Sequence, residues 1–140
     1  MAFGNTITIT GNVTGDPELR FTQTGTEICN FDIAWNASRD SEAMFFRVTC
    51  WEKLAVNVSE SIEKGTRVTV IGRLAQRSWD DKETGQKRYA VDITAEDVGP
   101  SLKWATAEVT RNPYDDDGAP AGNQGQAAPS SNFPTDEEPF

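Results

Sequence analysis

Apolar and polar side chains alternate with a period of two along most of the first hundred residues. This alternation constrains the fold more than any other feature of the chain. The segment NTITITGNV (residues 5–13) alternates cleanly, and similar segments lie at about residues 27–36, 45–51, 66–79 and 87–98. Successive side chains of a strand point to opposite faces, so each segment predicts a half-buried strand.

One helix is predicted inside this series, between the third and fourth strands. Leu54, Val58 and Ile62 recur every four residues with Ala55 alongside, which gives one apolar helical stripe. Gly65 follows and is predicted to cap the end of the helix. The order strand, strand, strand, helix, strand, strand is that of the five-stranded oligonucleotide/oligosaccharide-binding barrel, the OB-fold. Periodicity alone also allows a small β-sandwich or an SH3-like barrel.

Two further segments follow the predicted barrel. SLKWATAEV (residues 101–109) is again strand-like, whereas the chain from Pro113 onward holds five of the seven prolines, six acids and no Lys or Arg. Such a composition cannot bury a core and predicts disorder. The predicted fold is therefore all-β with one short helix. It comprises an OB-fold barrel with an extra C-terminal strand in residues 1–111, a disordered linker at 112–134 and an acidic tip at 135–140.

The third and fourth strands carry rings and guanidinium groups on the face that is not the core. By alternation, this face holds Phe45, Arg47 and Trp51 of the third strand and Arg67, Arg73, Arg77 and Trp79 of the fourth. Arginine neutralises phosphate and flat rings stack on unpaired bases, so the mixture favours single-stranded nucleic acid of any sequence. An oligomer interface is the alternative for the outward aromatics. Val68, Val70 and Leu74 of the fourth strand are predicted to point to the core, and Gly72 predicts a bend or bulge in this strand.

Trp35 is ambiguous from the sequence. Strict alternation places it on the core side of the second strand, but it lies at the strand end, where it could turn toward a ligand.

Catalytic and metal chemistry find little support in the sequence. Histidine is absent, no GxxxxGK[ST] phosphate loop occurs, and Cys29 and Cys50 sit in apolar runs typical of reduced core thiols. Asp80, Asp81 and Glu83 share one loop rather than converging with other acids as a two-metal nuclease would require. We therefore predict no enzyme and no cofactor.

The charge balance and hydropathy bear on partners and location. The net charge is −9, and the first 112 residues carry 13 basic and 16 acidic side chains, or −3. A nucleic-acid-binding role must then depend on where the positive charge lies rather than on its total. No signal peptide is evident and no apolar stretch approaches the ~20 residues of a membrane span. These features predict a cytoplasmic protein.

Five stretches resemble the bacterial single-stranded DNA-binding proteins. They are GNVTGDPELRFTQTG, FFRVTCWEKLA, KGTRVTVIGRL, TGQKRY and the terminal TDEEPF. The resemblance covers nearly residues 5 to 110 and the last six residues, and GPSLKWATAEV is similar to the actinobacterial branch. It implies a homotetramer of OB-folds, associated with the nucleoid, that binds single-stranded DNA in replication, recombination and repair.

The resemblance also implies roles for particular residues. The family's base-stacking aromatics correspond to Phe45, Trp51 and Trp79, while Trp104 would lie in an extra strand that clamps two subunits together. A further family tryptophan belongs to the hairpin after the second strand, but here NASRDSEA holds no aromatic, which leaves the role of Trp35 open. The tip would dock on replication, recombination and repair enzymes through Asp136, Glu137, Glu138, Pro139 and Phe140. The alternative is an accessory OB-fold protein whose outward aromatics form an oligomer interface.

Overall fold

The computed structural model describes residues 3–113 of the 140-residue chain. Residues Met1–Ala107 form one compact unit. Its elements, in chain order, are β1 (Ile7–Val13), β2 (Glu18–Phe21), β3 (Glu27–Trp35), β4 (Met44–Trp51), α1 (Glu52–Ser61), β5 (Arg67–Asp80) and β6 (Lys87–Pro100).

The strands form one sheet in the order β1-β5-β6-β4-β3-β2, and an additional pairing of β1 with β3 closes five of them into a ring. The closing contacts are Asn12 opposite Ala34 and Val13 opposite Ile33. All pairings are antiparallel except that of β4 with β6. β2 pairs only with β3, outside the ring. The predicted strand order and the helix position between the third and fourth ring strands are confirmed.

The core fills the ring and the space between the ring and α1. It consists of Val13, Cys29, Phe31, Ile33, Val48, Cys50, Ala55, Val58, Ile62, Val68, Val70, Ile93 and Ala95. Burial of apolar surface at about 25 cal/mol per Å² is the main favourable term in folding. α1 supplies two of these residues, Ala55 and Val58, and Ile62 follows directly after it, which explains why α1 lies on the sheet.

Both cysteines are free and fully buried in this core. Burial raises the pKa of the Cys29 thiol and raises the pKa of Cys50 to about 12. Both thiols are therefore protonated near neutral pH, as expected for unreactive cysteines in a core.

The long strands β5 and β6 leave the barrel together as a two-stranded ribbon. We call this ribbon, residues 75–80 and 87–92, the arm. At its base the ladder shifts register between Ile71 and Gly72, as the predicted bulge requires. A Cβ on Gly72 would collide with the backbone of Thr94, so only glycine allows β6 to approach this closely.

The base of the arm overturns one predicted core position. We expected Leu74 to point into the core with Val68 and Val70, but Leu74 is 44% exposed. It shares the side of β5 that faces the core, yet it lies beyond Gly72, the last residue of β5 that pairs with β1. Tyr89 and Val91, opposite Ser78 and Gln76 on the same side of the arm, are exposed for the same reason.

Two local predictions are also wrong. The helix ends at Ser61, because Ile62 turns to an extended conformation and is buried. Gly65 instead forms the following turn, with φ of 93° and its N–H donating to the Val13 carbonyl at 2.8 Å.

The predicted extra strand at residues 101–109 has no regular secondary structure in this single chain, and its side chains are mostly exposed. A strand needs a neighbouring strand to satisfy its backbone, and no described strand pairs with this segment. The predicted linker beyond residue 113 and the acidic tip lie outside the described residues. Within residues 3–113 no helix is long and apolar enough to cross a membrane.

Candidate nucleic-acid interface

The side of the sheet that faces away from the core carries most of the predicted binding residues. On β4 the core side holds Val48 and Cys50, and the opposite side holds Phe45, Arg47 and Trp51. Phe45 is 66% exposed and Trp51 is 42% exposed. At such exposure, a large part of each ring surface remains accessible to a ligand.

Strand pairing places the β5 residues on the same face. Thr49 of β4 lies beside Thr94 of β6, and Thr94 lies opposite Arg73 of β5. Alternation then adds Ala75, Arg77 and Trp79, which is 44% exposed. We call this continuous surface across β2, β3, β4, β6 and β5 the outer face. It brings together six residues predicted from the sequence: Phe45, Arg47, Trp51, Arg73, Arg77 and Trp79.

Two of the three predicted arginines of the outer face are already paired with carboxylates. Arg47 lies 3.6 Å from Asp32, and the Nε atom of Arg77 lies 2.7 Å from a carboxylate oxygen of Asp92. The Arg77 guanidinium also lies over the Trp79 ring, 5.1 Å from its centre. The pair therefore holds the ring and the charge together at one place on the arm. Within residues 3–113, no ion pair or side-chain hydrogen bond engages the Arg73 guanidinium.

The Asp81 carboxylate stabilises the loop at the end of the arm. The Asp81 carboxylate accepts hydrogen bonds from the backbone N–H groups of Glu83 and Thr84, which lower its pKa, and it also pairs with Arg88 at 2.9 Å. Arg88 lies directly opposite Trp79 on the outer face. This second pair fixes the end of the ribbon that carries the tryptophan.

Arg67 and Trp35 lie apart from this group. Arg67, at the far end of β5, donates to the Ser101 hydroxyl at 2.7 Å, and its guanidinium lies 4.7 Å from the centre of the Trp104 ring. Trp35 is 38% exposed at the end of β3. Both line an open pocket of about 960 Å³ that also contains Arg39 and Trp104. No pattern in the sequence indicates that Trp35, Arg67 and Trp104 line one pocket.

The structure adds residues of β2 and β3 to the outer face that no sequence pattern indicated. Arg20 donates to the Asn30 side-chain oxygen at 2.5 Å, and the Asn30 amide donates to the Thr49 hydroxyl at 2.8 Å. Asn30 is the one buried polar residue in the described part of the chain. A lone arginine in the four-residue segment ELRF carries little signal in the sequence, because so short a strand shows almost no alternation.

We call residues 113–140 the tail. The predicted docking residues of the tip belong to the tail and lie outside the described residues. In the described range, no cluster of three His, Cys, Asp or Glu side chains could hold a metal ion.

Comparison with known proteins bears on this interface. Residues 4–101 match the family described as the single-strand binding protein family. A single-stranded DNA-binding protein of Paenarthrobacter aurescens is 43% identical over an alignment of 142 positions, which covers 91% of this chain and 82% of the relative. The corresponding protein of Mycolicibacterium smegmatis is 44% identical over 120 positions, covering 79% and 72%. That of Corynebacterium glutamicum is 47% identical over 123 positions, covering 81% and 54%.

Proposed function

The chain belongs to the single-strand binding protein family, and we propose that it binds single-stranded DNA of any sequence through the outer face. The match confirms the predicted resemblance, including its similarity to actinobacterial members. The family consists of DNA-binding proteins rather than enzymes. One observation carries the assignment to the outer face: three exposed aromatics and three arginines from β4 and β5 share one continuous surface.

In this proposal the rings and the guanidinium groups have separate tasks. Phe45, Trp51 and Trp79 stack on bases, each stack contributing about 1–3 kcal/mol. Arg47, Arg73 and Arg77 contact phosphates, which makes binding dependent on salt. A stacked base must first be free of a duplex, so the same rings favour single strands. Every base offers a π-face, so no sequence is preferred.

Arg67 and Trp35 have a weaker basis as DNA contacts. Arg67 already engages Ser101 and Trp104, and Trp35 lines the separate pocket rather than the outer face. We retain both as candidate contacts for a longer DNA segment that passes beyond the outer face.

Titration with oligo-dT, followed by quenching of tryptophan fluorescence, tests the proposal. Trp51 and Trp79 should be quenched when bases stack on them, and a duplex of equal length should bind far more weakly at the same salt concentration. The alternative, an accessory protein whose outward aromatics form an oligomer interface, predicts little quenching by DNA and a change in quenching with protein concentration.

We also propose that the protein acts as a homotetramer. Two features of the described chain support association. Residues 7–11 of β1 pair with β5 on one side only, because the β1–β3 contact begins at Asn12, so part of this strand edge is open. Leu102 and Trp104 are 63% and 73% exposed beyond the barrel. Sedimentation that shows a stable monomer at micromolar concentration would exclude this assembly.

Finally, we propose a biological setting and a second set of partners. Bound to single strands in the cytoplasm, on the nucleoid, the protein would serve replication, recombination and repair and would recruit enzymes through its tip. The support is the terminal sequence DEEPF, where an aromatic residue after proline adds nothing to solubility. Deletion of Phe140 alone should abolish capture of such enzymes while leaving oligo-dT affinity nearly unchanged.

A further inference from the structure

Arg20 differs from the other arginines of the outer face in the group that holds it. Arg47 and Arg77 pair with carboxylates, which neutralise part of their charge. The partner of Arg20 is the neutral side-chain oxygen of Asn30, at 2.5 Å. A neutral acceptor orients a guanidinium group without cancelling its charge, and a guanidinium has five N–H donors, so most of them remain for another acceptor.

The position of Arg20 places it within the proposed interface. Arg20 is exposed on β2 and lies opposite Ile28 of β3, which in turn lies opposite Trp51 of β4. Neighbouring strands lie about 4.8 Å apart, so the backbone of Arg20 is about 10 Å from that of Trp51. Its side chain reaches Asn30, which lies opposite Thr49, midway between Arg47 and Trp51. The Arg20 charge therefore sits beside a ring on which a base would stack.

Asn30 is itself held in place. It is 9% exposed, and its amide group donates to the Thr49 hydroxyl at 2.8 Å while its oxygen accepts from Arg20. A buried polar side chain is retained at little cost only when its hydrogen bonds are satisfied, and here both ends are. Although the acidic residue Glu18 lies opposite Asn30 on β2, the Arg20 guanidinium donates to the side-chain oxygen of Asn30.

We propose that Arg20 is a phosphate contact for single-stranded DNA and that Asn30, fixed by Thr49, is the residue that positions it. This inference rests on the proposed function of the outer face and extends that face onto β2. It makes the interface one row of side chains across five strands, with an un-neutralised charge on each flank, Arg20 on β2 and Arg73 on β5. The ligand is the phosphate backbone next to the base that stacks on Trp51.

Salt titration of oligo-dT binding tests the contact, because the log–log slope counts phosphates neutralised. Arg20→Ala should reduce the slope by about 0.7. Between 50 and 200 mM salt, the affinity advantage of the parent should then shrink roughly 2.6-fold, which is the fourfold salt ratio raised to the power 0.7. Arg20→Lys should restore the slope, because it restores the charge. Lys64→Ala is the control: it removes an exposed positive charge from the turn between α1 and β5, outside the outer face, and should leave the slope nearly unchanged.

A double-mutant cycle tests the positioning role. Asn30→Ala should weaken oligo-dT binding in the parent and have little further effect in the Arg20→Ala background. If Asn30→Ala does not fold, Thr49→Val removes the group that fixes Asn30 and should show the same dependence on Arg20.

Three outcomes would overturn the inference. One is an Arg20→Ala slope equal to that of the parent. Another is a loss of thermal stability without a change of slope, which would mean that the bond only holds β2 onto β3. The third is that the losses of binding free energy caused by Arg20→Ala and Asn30→Ala are additive in the double variant. A parent protein that does not bind oligo-dT at all would instead refute the proposed function.

Discussion

Replacement of Trp79 by alanine gives the sharpest test of how the arm works. Trp79 is 44% exposed, lies beyond the barrel, and contacts the Arg77 guanidinium, whose centre is 5.1 Å from the ring. Its removal opens no cavity in the core. The cost to folding should therefore be limited to the exposed cation–π contact, about 0.5–1 kcal/mol.

The cost to binding should be larger. Loss of one base stack removes about 1–3 kcal/mol, which corresponds to roughly a 5- to 150-fold weaker affinity for oligo-dT. Fluorescence anisotropy of a labelled oligonucleotide at fixed salt measures this change without depending on the tryptophan that was removed. Trp79→Phe should recover part of the loss because it retains a flat ring.

The arm supplies its own control. Tyr89 is also an exposed aromatic, at 59%, but it lies opposite Ser78 and points to the other side of the same ribbon. Tyr89→Ala should leave oligo-dT affinity within about twofold of the parent, a difference below ~0.5 kcal/mol. Equal losses for the two variants would show that the outer face is not what the DNA recognises. Unfolding of Trp79→Ala would show that the ring supports the fold.

Four further predictions follow from other parts of the structure. Asp32→Asn frees an exposed arginine and should tighten oligo-dT binding at low salt, with a stability change below about 1 kcal/mol by denaturant titration; weaker binding would contradict this. Gly72→Ala should lower the free energy of unfolding by at least about 1–3 kcal/mol, because its Cβ meets the β6 backbone, whereas Gly99→Ala, with open space around its Cβ, should not. The pKa of Cys50 is raised from 9.0 to about 12, so the thiol should resist Ellman's reagent at pH 8 until denaturant is added. Stability should be unaffected below pH 9 and fall as the pH rises toward 12, because the unfolded state releases the proton first; rapid labelling of the native protein would refute the burial. Removal of the tail should tighten oligo-dT binding, most of all at low salt, because six tethered acids compete with phosphate, whereas removal of Phe140 alone should not; equal affinities with and without the tail would exclude that competition.

The sequence predicted the barrel because alternation and the helical stripe are properties of single elements. Alternation predicts that Val48 and Cys50 face the core if Arg47 and Trp51 face outward. The structure confirms this, because Val48 and Cys50 are fully buried while Arg47 and Trp51 are exposed. Leu74 was misplaced because alternation specifies a side of the strand and not whether a core exists at that point. The helix end was missed because burial of Ile62, a tertiary effect, outweighed the local preference of Gly65 for a cap.

The residues that the sequence missed share a different cause. Arg20, Asn30 and Thr49 belong to three strands, and only the register of β2, β3 and β4 brings them together. The same holds for Arg67 and Trp104, which are far apart in the chain and meet beside β1. The predicted strand at residues 101–109 is absent from the described chain for a related reason. A strand-like pattern shows that a segment can form a strand, but the strand forms only where a neighbouring strand pairs with it.

The charge pattern of the outer face explains how an acidic chain can select single strands. Three of its arginines are partly neutralised, Arg47 by Asp32, Arg77 by Asp92 and Arg88 by Asp81, so charge alone gives the surface only modest attraction for any polyanion. A duplex offers phosphates but keeps its bases stacked inside, and it would gain only that modest electrostatic term. A single strand offers the same phosphates together with free bases, each worth about 1–3 kcal/mol on an exposed ring. In the proposed mode of binding, the three rings contribute more than the partly paired arginines can, so the preference for single strands would come from stacking, while the carboxylates keep the non-selective electrostatic term small.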